Sequence, residues 1–219
     1  MPLYTADALV LRTYKLGEAD RIVVFLTRDR GKKRGVAPHA GKSRKRFGGA
    51  LEPLSEVRVA YFEKERRELV SLNYAELVRS PFGAVSGEAL GYSAYFAELI
   101  DEWAAEADAD DRLFRLGTSV LEALVAGAPV EPLARYFECW LLRLQGVYPL
   151  DLRLSAEAEA FVEGTRRVTP ADVGGLGPSP LVLRELEGKH RTVIQSHLDK
   201  ELRSARVLRD MRRLAPASP

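Results

Sequence analysis

The hydrophobic periodicity of this chain changes near residue 83, and that change limits the architectures open to it. Before it, short β-branched and apolar runs alternate with turn residues. ADALVLRTY and RIVVFLTR flank KLGEAD, and a tight RDRG reversal leads into KKRGVAPHA. EPLSEVRVAYFE follows, then a KERR turn and ELVSLNYAEL. Five short strands with one long loop, 41–50, predict a small antiparallel barrel of the OB type. An SH3-like barrel has a similar strand count, and the pattern alone leaves it open.

After residue 83 the pattern is helical. GEALGYSAYFAELIDEWAAEA places Leu90, Ala94, Ala97 and Ile100 on one stripe. DDRLFRLGTSVLEALVAG opens on Asp110 and Asp111 and ends on Gly127, and EPLARYFECWLLRLQG closes on Gly146 before VYPLD breaks it. Segment 151–183 reads as a short Ala/Glu-rich helix and then a loop, TPADVGGLGPSP. One last helix is expected from near Thr192 through MRRL, with a frayed APASP tail. The expected fold is α+β, an N-terminal OB-fold barrel over 1–80 followed by an all-helical region over 81–219.

With 219 residues, 46% hydrophobic and 29% charged, the chain has the composition of a globular protein with a substantial core. Its apolar runs fall far short of a membrane span, no secretory signal is visible, and the single Cys139 fits a reducing cytoplasm. The net charge of +2 conceals segregation: residues 1–49 hold 12 Lys/Arg against 4 Asp/Glu, residues 50–183 hold 12 against 22, and residues 184–219 hold 9 against 5. Two basic ends around an acidic middle point to distinct binding surfaces.

The stretch GVAPHAGKSRKRFGG, 35–49, suggests a phosphate-binding loop, but its spacing excludes one. Five residues separate Gly35 from Gly41 where four are needed, which puts Val36 at the required glycine position. Valine resists the positive φ such a loop uses, and RKRFGG is not the helix that should follow. A polyanion fits better. Arg28, Arg30, Lys32, Lys33, Arg34, Lys42, Arg44, Lys45 and Arg46 face one acidic residue, Asp29, over this span. They fall on a hairpin and loop where small barrels engage nucleic acid, beside Gly48 and Gly49. Phe47 either stacks a base or plugs the barrel end.

Arg203, Arg206 and Arg209 share a face of the last helix, outside an apolar stripe of Val193, Ile194, His197, Leu198, Leu202, Val207 and Leu208. That face is either solvated or a second nucleic-acid contact. Three histidines and one cysteine offer no metal-ligand spacing, and Cys139 reads as a packed core thiol. Asp108, Asp110 and Asp111 read as helix-start residues, and no catalytic constellation stands out. Neither a metal nor another cofactor is expected.

LVLRTYKLGEADRIVVFLTRDRGKKRGVAPHAGKSRKRFGGALEPL resembles the N-terminal signature of the bacterial recombination-mediator family RecO. The likeness continues through AELVRSPFG and FECWLLRLQGVYPLD to SHLDKELRSARVLRDM. It implies an OB-fold and a helical domain, a protein that binds single- and double-stranded DNA, anneals strands and helps the recombinase displace single-strand-binding protein. It implies RecR and the acidic C-terminal tail of single-strand-binding protein as partners, with Lys32, Arg44, Arg46 and Phe47-Gly48-Gly49 in the basic OB region. Many members carry a four-cysteine zinc module after the PLD motif; here LRLSAEAEAFVEGTRRVTPADVGG has no cysteine.

Overall fold

The first strand, β1 (Leu3–Leu16), is long enough to serve two neighbours. Leu3–Leu9 pair with β4 (Glu56–Phe62), and Ala8–Leu16 pair with β2 (Asp20–Thr27), with a register shift between Val10 and Arg12 where the strand bends. β3 (Gly31–Ala37) and β5 (Val70–Arg79) complete a closed barrel in the order β1-β2-β3-β5-β4. The β3–β5 pairing is parallel and short, Gly35 with Val70 and Val36 with Ser71. Gly35 belongs to this closure, because a Cβ there would lie 2.2 Å from the Leu72 side chain. This is the OB arrangement, and it removes the SH3-like alternative. The computed structural model describes residues 2–63 and 68–214, except the side chains of Arg44, Lys45 and Leu214; the KERR turn and APASP tail lie outside the described residues.

β1 and β2 are apolar on both faces. Ala8, Val10, Val23 and Phe25 fill the barrel with Val57, Val59, Tyr61 and Leu72. Leu9, Leu11, Val24 and Leu26 point the other way and join the core of the helices, with Phe96, Leu99 and Ile100. Each such side chain contributes roughly 1.5–3 kcal/mol on burial. The interface is close: a Cβ on Gly117 would meet Leu9 at 2.6 Å and Ile100 at 2.9 Å.

Among the described residues the helices are α1 (Arg44–Phe47), α2 (Gly87–Trp103), α3 (Asp111–Val125), α4 (Val130–Leu144), α5 (Ala156–Gly164), α6 (Pro180–Leu198) and α7 (Arg203–Leu214). Asp110 caps α3 by accepting from the Leu113 N–H at 2.9 Å. α2 buries Tyr92, Tyr95, Phe96 and Leu99 beside Ala97 and Ile100, whereas Leu90 and Ala94 are half-buried. It packs against the barrel and against α3, α4 and α7, so its apolar face is wider than one stripe. The TPADVGGLGPSP segment holds a 3-10 helix, Pro170–Leu176, that buries Val173.

The single last helix expected from Thr192 is two helices. α6 begins at Pro180, where Ser179 caps Val182, and stops at Asp199 in the left-handed conformation. The cap of α7 comes from another helix: Glu98 of α2 accepts from the backbone N–H of Arg203 and of Ser204.

The helical core encloses a polar cluster. The Glu138 carboxylate accepts from the Tyr95 hydroxyl at 2.7 Å, lies 2.8 Å from Nη2 of Arg135, and lies 2.9 Å from Nδ1 of His190. Burial opposes the charged form of His190, but Cys139 and Glu138 prevail and raise its pKa to about 9. Burial likewise pushes Glu138 upward, and Arg135 with His190 prevails and lowers it.

Stability from His190 is complete below its ordinary value of 6.5 and is lost as pH rises toward 9. That from Glu138 is present above its ordinary 4.5 and is lost as pH falls below it. Urea unfolding from pH 5 to 10 should show a midpoint falling on the alkaline side, and His190→Gln should flatten that fall. Glu138→Leu, which strands Arg135, should cost about 3–5 kcal/mol in the same assay. Gly31 has φ +67° and its Cβ would lie 2.3 Å from the Asp108 carbonyl oxygen, whereas Gly49 at φ +79° has open space. Gly31→Ala should therefore lower the melting temperature well beyond Gly49→Ala, which bears only a backbone strain of about 1–3 kcal/mol.

Candidate nucleic-acid interface

The β2–β3 hairpin carries five cations of the basic run, and Arg28, Lys32 and Arg34 among them meet the helical region. Nζ of Lys32 donates to the Asp101 backbone carbonyl at 2.6 Å and lies 3.4 Å from its carboxylate, leaving the residue 9% exposed. Its backbone donates to Ala105 and accepts from Ala107, extending the pairing into the loop after α2. Lys32 is therefore removed from the exposed set. Arg28 donates to Asp111 at 2.8 Å, Arg34 lies 3.0 Å from Glu106, and Lys33 donates to Glu63 at 2.8 Å. Arg30 lies over the Tyr4 ring. The Arg28 hydrogen bond holds the Asp111 carboxyl below its ordinary range. Arg12 of β1 adds contacts to Asp101 at 2.8 Å and Glu102 at 3.0 Å. Burial raises Glu102, but Lys200 and Arg12 prevail and hold it low.

The other part of the basic run surrounds a groove. Between the β1–β2 turn and the β3–β4 connection lies an open groove of about 540 Å³. From the β1–β2 hairpin Tyr14, Lys15 and Arg21 contribute to its lining, and from the β3–β4 connection Gly41, Gly48, Gly49 and Glu52 do. Lys15 and Arg21 are register partners across β1 and β2. The walls are stitched together, since Gly41 N–H donates to the Ala19 carbonyl at 2.8 Å and Thr13 donates to the Leu51 carbonyl at 2.7 Å. Lys42 is exposed beside the groove, in the turn before α1. Arg44 and Lys45 form the first turn of α1, and their side chains lie outside the described set.

Two residues of the expected site do other work. Phe47 is 2% exposed and belongs to the barrel core, so it plugs the barrel end. Arg46 lies over the Phe47 ring and donates from Nε to the Asn73 carbonyl at 2.7 Å, fastening α1 to β5. Tyr14, Lys15 and Arg21 lie outside the basic run and were missed, although the two cations flank the GEAD turn.

On α7, Arg203 and Arg206 are exposed, Arg209 pairs with Glu201, and Val207 is exposed rather than part of the apolar stripe. A second groove, about 570 Å³, lies between α3 and α4; Leu116, Tyr136, Trp140 and Leu144 line it together with Arg112 and Arg115. Segment 151–183 does not fit a zinc module, having neither cysteine nor histidine. Its α5 is capped by Ser155 and buries Ala158, Phe161 and Val162 instead. Among the described residues no group of three or more His, Cys, Asp or Glu is placed to hold a metal, and no helix is long and apolar enough to cross a membrane.

Comparison with known proteins matches both parts of the chain. The family described as "Recombination protein O N terminal" matches residues 1–81, and "Recombination protein O C terminal" matches residues 85–157. The DNA repair protein RecO of Koribacter versatilis (strain Ellin345) is 46% identical over 151 residues, covering 67% of this chain and 60% of that protein. That of Anaeromyxobacter sp. (strain K) is 38% identical over 185 residues, 81% of this chain and 71% of its own length. That of Pelotomaculum thermopropionicum is 36% identical over 156 residues, 71% of this chain and 60% of its own. The alignment to the Koribacter protein thus leaves more than a third of that relative unmatched. Barrel and helices carry the two family patterns in the same order along the chain, and the protein belongs to the RecO family of DNA repair and recombination proteins.

Proposed function

We propose that the protein is a non-catalytic DNA-binding mediator acting in the bacterial cytoplasm, at the nucleoid, during recombinational repair. It binds single- and double-stranded DNA, anneals complementary strands and assists loading of the recombinase. The observation that carries this reading is the groove at the barrel end, with Lys15, Arg21 and Lys42 around it and the first turn of α1 beside it. Cations on the walls hold the phosphates, and the bases remain available for pairing. Arg44 and Lys45 belong to the proposed DNA-binding set by their place in the basic run, and Arg203 and Arg206 on α7 form a separate basic contact. The paired Arg28, Arg30, Lys33, Arg34 and Arg209 contribute at most to the surrounding field.

RecR and the C-terminal tail of single-strand-binding protein are the proposed protein partners. The groove between α3 and α4 suits an acidic tail, since Arg112 attracts its carboxylates beside an Arg115 that lies 3.0 Å from Asp111, and the Trp140 and Leu144 side chains take apolar groups. A pure protein-interaction adaptor would instead dock partner peptides on the helical domain and use the basic run for acidic partner tails, and would bind an acidic peptide without binding an oligonucleotide.

If about five phosphates are engaged, log K for a single strand should fall with log salt at a slope of roughly 3–4, measured by anisotropy. A flat salt response would contradict the phosphate track. Lys15→Glu combined with Lys42→Glu should cut strand annealing at least about tenfold with an unchanged melting temperature; Lys32→Glu should instead lower the melting temperature. Arg112→Glu should weaken binding of an acidic peptide several-fold by anisotropy while leaving oligonucleotide binding intact; equal loss of both would place the two ligands on one surface.

A further inference from the structure

Beneath α7 lies a small cavity of about 30 Å³, bounded by α2, α4 and α6. That is room for one or two water-sized groups. Its lining is rich in donors. Arg135 of α4, Arg191 of α6 and Arg209 of α7 line it, against one carboxylate, Glu187. Arg135 is 3% exposed, and its Nε and Nη1 have no hydrogen-bond partner, although its Nη2 lies 2.8 Å from Glu138. A guanidinium only donates, so these buried N–H groups call for an acceptor.

The acceptors nearby are already engaged. Nη1 of Arg212 donates to both oxygens of Glu187, at 3.2 and 2.9 Å, and Glu187 Oε2 lies 3.9 Å from Nη1 of Arg135, beyond a hydrogen bond. Glu138 is shared by Arg135, Tyr95 and His190. The Tyr92 hydroxyl accepts from Arg212, which leaves its own proton to donate. Arg209 is met by Glu201, whereas Arg191 has no ion pair among the described residues. A water here would accept from one or two donors but bring two protons of its own into a lining with no acceptor to spare. An anion accepts and brings none. Arg135 and the protonated His190 also share the one buried carboxylate of Glu138, and a negative charge beside Arg135 offsets that surplus.

We propose that this cavity binds one halide-sized anion, chloride being the common one, on Arg135 and Arg191 with the Tyr92 hydroxyl as a further donor. The space is too small for a phosphate or a carboxylate-bearing metabolite. The roof of the site is α7, whose Leu208 sits so close to α2 that a Cβ on Gly91 would lie 2.7 Å from it. A bound anion therefore fastens α7 to the three helices below and fixes where Arg203 and Arg206 are presented. The site is independent of DNA binding, and a chain that bound no oligonucleotide would still possess it.

The test is the width of the chloride-35 magnetic resonance line in the presence of the whole chain, at fixed ionic strength with gluconate replacing chloride. The protein should broaden the line, and bromide should reverse the broadening where equimolar sulfate does not. Arg191→Gln should weaken chloride binding at least about tenfold. Ala205→Leu, which fills the space without altering a charge, should abolish the bromide-sensitive broadening; circular dichroism checks that both variants fold. Amide hydrogen exchange along α7 should slow with chloride in the unaltered protein and not in Ala205→Leu. Absence of bromide-sensitive broadening in the unaltered protein means that the cavity holds water only, and overturns the proposal. Broadening that survives undiminished in both folded variants, or that sulfate reverses as readily as bromide, places the anion elsewhere and overturns it as well.

Discussion

The architecture depends on β1 and β2 being buried from both sides. Alternate residues of these strands fill the barrel, and the residues between them, Leu9, Leu11, Val24 and Leu26, are core residues of the helical part. Neither half covers its own apolar surface without the other. Fixing the barrel on α2 and α3 in this way leaves the β1–β2 turn and the β3–β4 connection projecting from one end, where the groove lies. Gly31 and Gly117 mark where the two parts come too close for a side chain.

The same interface divides the positive charge. Arg12, Arg28, Lys32 and Arg34 meet Asp101, Glu102, Glu106 and Asp111 across it, so part of the basic N-terminus is neutralised by the acidic middle of the same chain. Exposed pairs of this kind add little stability, but the nearly buried Lys32 with Asp101 fixes the orientation of the hairpin, and losing one partner would strand the other. Lys15 and Arg21, by contrast, lie at the groove end, away from that interface.

Inside the helices, Arg135, Glu138 and His190 form a buried polar knot joining α4 to α6, with Tyr95 reaching it from α2. α7 is held to the same bundle by Arg212, which bonds Glu88, Glu131 and Glu187. Segment 151–183 relies on apolar packing through Phe161 and Val173. Cohesion of the bundle therefore comes from side chains of several helices meeting in one place.

Sequence alone determined the barrel, the change to helices, the helix starts at Asp110 and the closing glycines, because each is written in local periodicity and turn chemistry within a few residues. It also located the basic stretch, and the family signature lay within it. Only the tertiary structure decided which of those cations are free, since whether Lys32 meets Asp101 or a phosphate depends on residues 69 positions apart in the chain. The break at Asp199 was hidden for a related reason: the cap that starts α7 is Glu98, more than 100 residues away. Tyr14, Lys15 and Arg21 became part of one site only when the barrel closed and set their turn beside Gly48 and Gly49. Periodicity records which side of a strand is buried; it does not record what that side is buried against.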